Sequence, residues 1–429
     1  MSTTDVALVA GFVIAFGLVS RKVEHSPITG PMIFVGFGLA IGTAGFDILD
    51  LDLASSGVEL LAEATLGLLL FTDATRIDVA RLRNEVTLPT RMLVVGLPLA
   101  IAAGTALGVL LFDVPVAIAA LIAAILAPTD AALGEAVVTS ESVPLRIRES
   151  LNIESGLNDG IALPAVTVFI ALAAEDEGFS TATSWLRFAG EQIGYGILIG
   201  LAIGCVGGLA VRGASRRNMM AGVYRQLAVL GIAIAAFSVA TEAGGNGFIA
   251  TFVGGLAFGS IARVECAYAA NFTDDLAHLL AMVSFIVFGA IVVGPSLDQV
   301  DWRVALYAVG SLLLVRPLAI AVSLLGSHLK WPTVAFLGWF GPRGLASILF
   351  GIVALEEIEV GARGSADFDL VFVVMSWTVL LSIVVHGISA GPGADAYGRW
   401  WSGRQDDPMM ESMVENQEVT PTRRRGQRL

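Results

Sequence analysis

The run Glu154-Ser155-Gly156-Leu157-Asn158-Asp159-Gly160-Ile161 sets two carboxylates and an amide at the head of an apolar stretch that continues through Ala162 to Ile170. An ionisable group in hydrocarbon costs several kcal/mol on most scales, so such residues mark ion paths, proton paths or paired charges. On helical spacing Glu154 and Asn158 are i,i+4 partners, and so are Ser155 and Asp159, which puts all four on one side. Oxygen ligands of this kind suit a hard alkali cation, and no cysteine or histidine pair lies near them to favour a soft metal. A carboxylate that holds either a cation or a proton, each excluding the other, couples the two in opposite directions.

A second group of residues must complete any such site. Pro128-Thr129-Asp130 interrupts the apolar stretch that begins at Ala123. Pro128 removes a backbone donor and clashes with the preceding turn, and the freed backbone is tolerated at membrane depth only where it is buried in protein or lines a cavity. Gly341-Pro342-Arg343-Gly344 repeats the device in the second half of the chain. Two interrupted helices, one per half, point to an inverted-repeat secondary transporter with its site at their crossing. Each break carries a charge, Asp130 at one and Arg343 at the other, and Asp159 lies between them in sequence.

Arginine stays protonated in a protein, so intramembrane Arg316 and Arg343 each need an anion. Glu154 is the best placed, and it reads mainly as a structural ion pair with one or other arginine. Asp73, near the end of the third apolar segment, reads by itself as an interfacial acid, as do Glu63, Glu135 and Glu191. His25, His278, His328 and His386 fall mostly at predicted helix ends, which argues against a pH-sensing role.

The elements that position these residues are transmembrane helices. The chain is 55% hydrophobic and 15% charged, and its mean hydropathy is +0.79, far from a soluble profile. Charge clusters and Gly/Pro breaks divide it into about thirteen apolar segments, at roughly 5–20, 27–45, 57–75, 88–111, 114–139, 146–174, 188–211, 222–241, 246–262, 273–294, 302–326, 332–355 and 368–390. The 48 glycines fit close helix packing in a bilayer. The first segment is followed by Arg21-Lys22 rather than a small-residue cleavage site, and reads as a retained helix.

With the N-terminus outside, 20 of the 25 basic residues fall in cytoplasmic loops and the tail, while Glu175-Asp176-Glu177 and Glu356-Glu357 fall outside; the C-terminus is then cytoplasmic. The expected fold is therefore an all-α polytopic membrane protein over residues 1–390, with a short disordered cytoplasmic tail at 391–429. That tail is too small for a nucleic-acid-binding or nucleotide-binding domain. Cys205 and Cys266 form no metal-ligand spacing with any histidine, and no cofactor is expected.

Glu154-Ser155-Gly156-Leu157-Asn158-Asp159, Pro128-Thr129-Asp130, Arg316-Pro317 and Gly341-Pro342-Arg343-Gly344 occur here in an order that resembles the NhaP-type sodium/proton antiporters. These form the electroneutral branch of the cation/proton antiporter superfamily, which also includes the animal sodium/proton exchangers. The resemblance implies a thirteen-helix protomer in a homodimer. Its transport core would span helices at about 88–174 and 302–390, moving against dimerisation helices at about 5–75 and 188–294, with the fifth and twelfth helices crossing as broken helices.

By that resemblance Asp159 looks like the carboxylate that binds cation and proton, with Asp130, Ser155, the Thr129 carbonyl and Asp73 as further cation ligands. Asn158 looks like the marker of the electroneutral branch, and Glu154, Arg316 and Arg343 support the site. Ala131 stands where many relatives have proline. The large regulatory tail of the animal exchangers is not expected.

The leading expectation is exchange of Na+ or Li+ for H+ across the cell membrane, 1:1 and electroneutral. K+/H+ exchange uses the same ligand types. A channel or anion transporter would need a positive site, yet Asp130, Asp159 and Glu154 outnumber the two arginines. An intramembrane enzyme has no HExxH or GxSxG signature to support it.

Overall fold

The computed structural model describes residues 3–24, 26, 28–49, 55–77, 87–130, 133–173, 182–359 and 366–403. Ala131, Arg81, Arg83, His25, the acidic run 175–177 and the tail beyond 403 lie outside the described residues, as do the side chains of Cys266, Glu356 and Glu357.

The described chain is helical throughout, with no strand among the described residues. Helix α1 (Thr3–Glu24) is followed by α2 (Gly30–Ile41), α3 (Ser56–Arg76) and α4 (Thr87–Leu111). The first break separates α5 (Val116–Ile125) from the short α6 (Glu135–Thr139), and α7 (Leu145–Ala173) carries the polar run. Next come α8 (Ala182–Arg216), α9 (Gly222–Glu242), α10 (Gly247–Ile261), α11 (Arg263–Val287) and α12 (Trp302–Ser323). The second break separates α13 (Trp331–Trp339) from α14 (Leu345–Glu359), and α15 (Ala366–Ser402) closes the described chain.

Eight helical spans among the described residues are long and apolar enough to cross a bilayer, the pattern of a multi-pass membrane protein. The segments read at 27–45 and 246–262 form shorter apolar helices, and those at 114–139 and 332–355 form helix pairs.

Prolines shape the long spans without ending them. The helix widens to π-type hydrogen bonding over Met92–Gly96, Phe288–Val293 and Ser311–Val315. Each widened turn runs into a proline, Pro98, Pro295 and Pro317 respectively. A proline lacks the N–H for its i−4 carbonyl and crowds it, and a widened turn relieves both.

Helix starts follow local chemistry. The Asn246 side chain accepts from the Ile249 amide at 3.0 Å to cap α10, and Asp301 accepts from the Trp302 amide at 2.6 Å at the start of α12. Close packing rests on glycine where α8 crosses α10, since a methyl at Gly204 would enter the Gly254 backbone.

Helix α15 runs past residue 390, where the sequence suggested a disordered tail, and it does so through Pro392. The physical reason is a buried apolar face: Ala390, Ala394 and Tyr397 pack with Val137, Ile147 and Phe336. Tyr397 stacks on Phe336 at 4.2 Å and hydrogen-bonds Thr333 at 2.9 Å.

Helices α3, α8, α9, α10 and α11 pack on one another. Around the crossing, α4, α5, α7, α12, α13, α14 and α15 form a second set of contacts, and α7 lies against α3, α8 and α10. At the α7–α10 contact, a methyl at Gly160 would enter the Phe252 ring. Large apolar side chains point away from the molecule on α1, α8 and α9, among them Leu18, Leu198 and Tyr224.

Candidate ion-binding site

The two breaks meet. The Asp130 amide donates to the Pro342 carbonyl at 2.8 Å, and Asp130 Oδ2 accepts from the Leu345 amide at 2.8 Å. A carboxylate from the first break thus caps the first turn of α14, where helix N–H groups carry partial positive charge. The opposite exchange also occurs. Arg343, 1% exposed, donates from Nη1 to the Ala127 carbonyl and, at 3.3 Å, to the Pro128 carbonyl. A cation from the second break thereby meets the carbonyls left open beyond α5, the end where a cation is favoured.

Thr129, buried in the first break, joins both features to α7. Its carbonyl accepts from Ser155 Oγ at 2.7 Å, and its hydroxyl accepts from Asn158 Nδ2 at 2.5 Å. The same hydroxyl donates to Glu154 Oε2 at 3.4 Å. Glu154, Ser155 and Asn158 therefore share one helix face, as their spacing indicates.

Glu154 pairs with Arg316. Arg316 Nη1 reaches Glu154 Oε1 at 3.0 Å and Nη2 reaches Oε2 at 3.0 Å, a two-pronged pair in which both residues are at most 5% exposed. This resolves the choice that the sequence left open. Arg343 needs no carboxylate because the carbonyls around Pro128 receive it. Arg316 lies across the second break so closely that any side chain at Gly341 would overlap its guanidinium.

Asp159 differs from these residues. Its Oδ1 is buried and has no hydrogen-bond partner among the described residues, and the same holds for Asn158 Oδ1 and Ser347 Oγ. Asp73, Asp130 and Glu154 all lie within electrostatic range of it. A carboxylate oxygen buried without a partner carries a desolvation cost that a bound cation or proton offsets.

Thr129, Glu154, Ser155, Asn158 and Arg316 form one connected cluster. Asp73, Asp130 and Asp159 do not converge on a metal-holding group among the described residues. Asp73 on α3 is 35% exposed and 4.0 Å from Arg76, which itself pairs with Asp274 of α11. Beside the cluster is a cavity of ≈ 20 Å³, walled by Thr129, Asp130, Glu154, Ser155, Phe340 and Pro342. That is room for about one water-sized particle. Asp159 is not part of its wall.

The sequence reading passed over Ser382 and took His386 for a helix-end residue. Both lie mid-helix in α15, are at most 2% exposed, and bond to the second break. Their i,i+4 spacing on an apolar helix was the available signal.

Comparison with known proteins bears on this arrangement. A family model described as "Sodium/hydrogen exchanger, transmembrane" matches residues 7–394. The chain is 29% identical to the K(+)/H(+) antiporter NhaP of Alkalimonas amylolytica over 287 residues, 65% of this chain and 46% of that protein. It is 26% identical to the K(+)/H(+) antiporter NhaP2 of Shewanella oneidensis over 363 residues, 83% of this chain and 61% of that protein. The match therefore spans about half the length of these curated relatives. In fold, it is similar to the sodium proton antiporter MjNhaP1 from Methanocaldococcus jannaschii, with a TM-score of 0.76 at 21% identity, covering 91% of this chain and 97% of that one. Two crossed helix breaks, an aspartate with one buried, unpartnered oxygen and a family match across nearly the whole membrane region agree: the chain belongs to the transmembrane sodium/hydrogen exchanger family.

Proposed function

We propose that the protein is a secondary transporter that exchanges a monovalent alkali cation for a proton, with cation and proton competing for Asp159. The observation that carries this reading is the unpaired, buried Oδ1 of Asp159 beside charges that are already engaged. Glu154 is held by Arg316, Asp130 caps α14, and Arg343 is spent on the carbonyls at the first break. Asp159 is left to carry the exchangeable charge.

Ser155 and the Thr129 carbonyl are the additional ligands in this reading. The Ser155 hydroxyl donates to that carbonyl, which leaves its lone pairs and one on the carbonyl for a cation. Asp130 and Asp73 complete the proposed ligand set by moving closer when the site is loaded. Asn158 supports the site without adding charge, so one carboxylate trades one cation for one proton and exchange is electroneutral.

The transported ion in this reading is Na+, with Li+ as a surrogate. A second reading, K+, is favoured by the names of the curated relatives. The helices around the crossing would move as a transport unit against α1, α2, α3 and α8–α11, through which two copies would pair. The N-terminus would lie outside and the C-terminus in the cytoplasm of a cell membrane.

Reconstituted vesicles carrying an internal pH dye test the assignment. Na+, Li+ or K+ added outside should drive a pH change with the native protein, and Asp159→Asn should abolish it while the protein inserts normally. Native-level exchange by Asp159→Asn would refute the assignment.

A further inference from the structure

In an unbroken helix, the Arg343 amide would donate to the Trp339 carbonyl four residues earlier. The second break ruptures that bond, and two side chains of α15 stand in its place. The Arg343 amide donates to Ser382 Oγ at 2.6 Å, Ser382 Oγ lies 3.1 Å from His386 Nδ1, and His386 Nε2 lies 3.0 Å from the Trp339 carbonyl. These contacts use the neutral tautomer in which Nε2 donates to the Trp339 carbonyl and Nδ1 accepts from the Ser382 hydroxyl; Nδ1 also lies 3.1 Å from the Ser382 carbonyl, the acceptor that the opposite tautomer would use. The Arg343 amide, orphaned by the break, and the Trp339 carbonyl, which also accepts from the Gly341 amide at 2.9 Å, are joined by a continuous relay. The Trp339 indole, 5.0 Å from the imidazole, donates through Nε1 to Ser389 Oγ at 3.1 Å and fixes the same corner to α15.

We propose that His386, acting through Ser382, is a positioning residue that splints the second helix break and so holds Arg343 and the start of α14 where Asp130 and the carbonyls of the first break need them. The reach is short: Arg343 supplies the amide that Ser382 holds and the guanidinium that meets the Ala127 and Pro128 carbonyls next to Thr129. Leu345, two residues on, supplies the amide that Asp130 caps. Loosening the splint should therefore be felt at the cation ligands of Thr129 and Asp130. This inference rests on the antiport reading for its transport readout and on the tautomer for an independent one.

The test compares His386→Ala, Ser382→Ala and His386→Gln in reconstituted vesicles. Glutamine presents one acceptor and one donor and can span the same two partners without an imidazole. The expected result is an apparent cation KM raised about tenfold or more in both alanine variants, no further loss in the double alanine variant, and a KM returned to within about threefold of native by His386→Gln. In parallel, 15N spectra of histidine-labelled native protein should show one signal, absent from His386→Gln, from a neutral ring protonated at Nε2. A native KM in His386→Ala, a His386→Gln variant as weak as His386→Ala, or an Nδ1-protonated neutral ring would each overturn the proposal. Absence of any cation-driven exchange by the native protein would instead refute the antiport reading, and the spectrum would still decide the splint.

Discussion

Thr129 is the residue on which the two halves of the site depend, since its carbonyl accepts from Ser155 and its hydroxyl accepts from Asn158 and donates to Glu154, all on one face of α7. That face was legible in the sequence because acids and amides in an apolar run stand out against hydrocarbon. The partner of Glu154 was not. Both arginines called for an anion, and although Pro128 signals freed backbone at the first break, nothing in the sequence records that Arg343 reaches the carbonyls there. His386 was read as a helix-end residue because its partner across the break, Trp339, lies more than forty residues away in sequence.

The Glu154–Arg316 pair gives a residue-scale prediction. Glu154→Gln should leave a buried, uncompensated arginine and cost about 3–5 kcal/mol of stability, read as a large drop in melting temperature in detergent. Replacing both residues, with Glu154→Gln and Arg316→Met, should recover much of that loss. If Glu154→Gln alone melts like the native protein, the pair is not structural.

At the scale of elements, helix positions followed well from apolar length and Gly/Pro punctuation, and both breaks fell where Pro128 and Gly341-Pro342 placed them. The end of α15 did not follow, because the chain turns polar after about residue 391 and reads as a disordered tail. Tertiary burial of Ala394 and Tyr397 overrides that local signal. The π-type turns were also invisible, since composition marks a proline but not how the preceding turn absorbs it.

The crossing itself yields a prediction at this scale. A methyl at Gly344 would overlap the Asp130 carboxylate. Gly344→Ala should displace the cap on α14 and lower exchange about tenfold or more, equivalent to about 1.4 kcal/mol. Gly156, whose added methyl would meet open space, is the control: Gly156→Ala should leave exchange near native. Equal activity in the two variants would show that the Asp130 cap does not matter to transport.

For the whole molecule, a membrane fold was evident from hydropathy alone, and the family match over residues 7–394 accords with it. The choice of cation was not, because Na+ and K+ share oxygen ligands and differ in the size of a site that sequence cannot dimension. Electroneutrality is a property of the whole cycle: in the proposed mechanism, with Asn158 uncharged, one carboxylate would carry one charge in each direction. Exchange in vesicles should therefore run at the same rate whether the membrane potential is clamped or free. A rate that follows the potential would mean that a second charge moves with each cycle.

Whether cation and proton share Asp159 is decided by measuring the apparent cation KM across a series of pH values in oriented vesicles. Competition predicts that, once protons hold most of the sites, KM rises about tenfold for each unit that pH falls, while the maximal rate at saturating cation stays constant. A KM indifferent to pH, with a maximal rate that falls instead, would contradict a shared carboxylate and place the proton elsewhere.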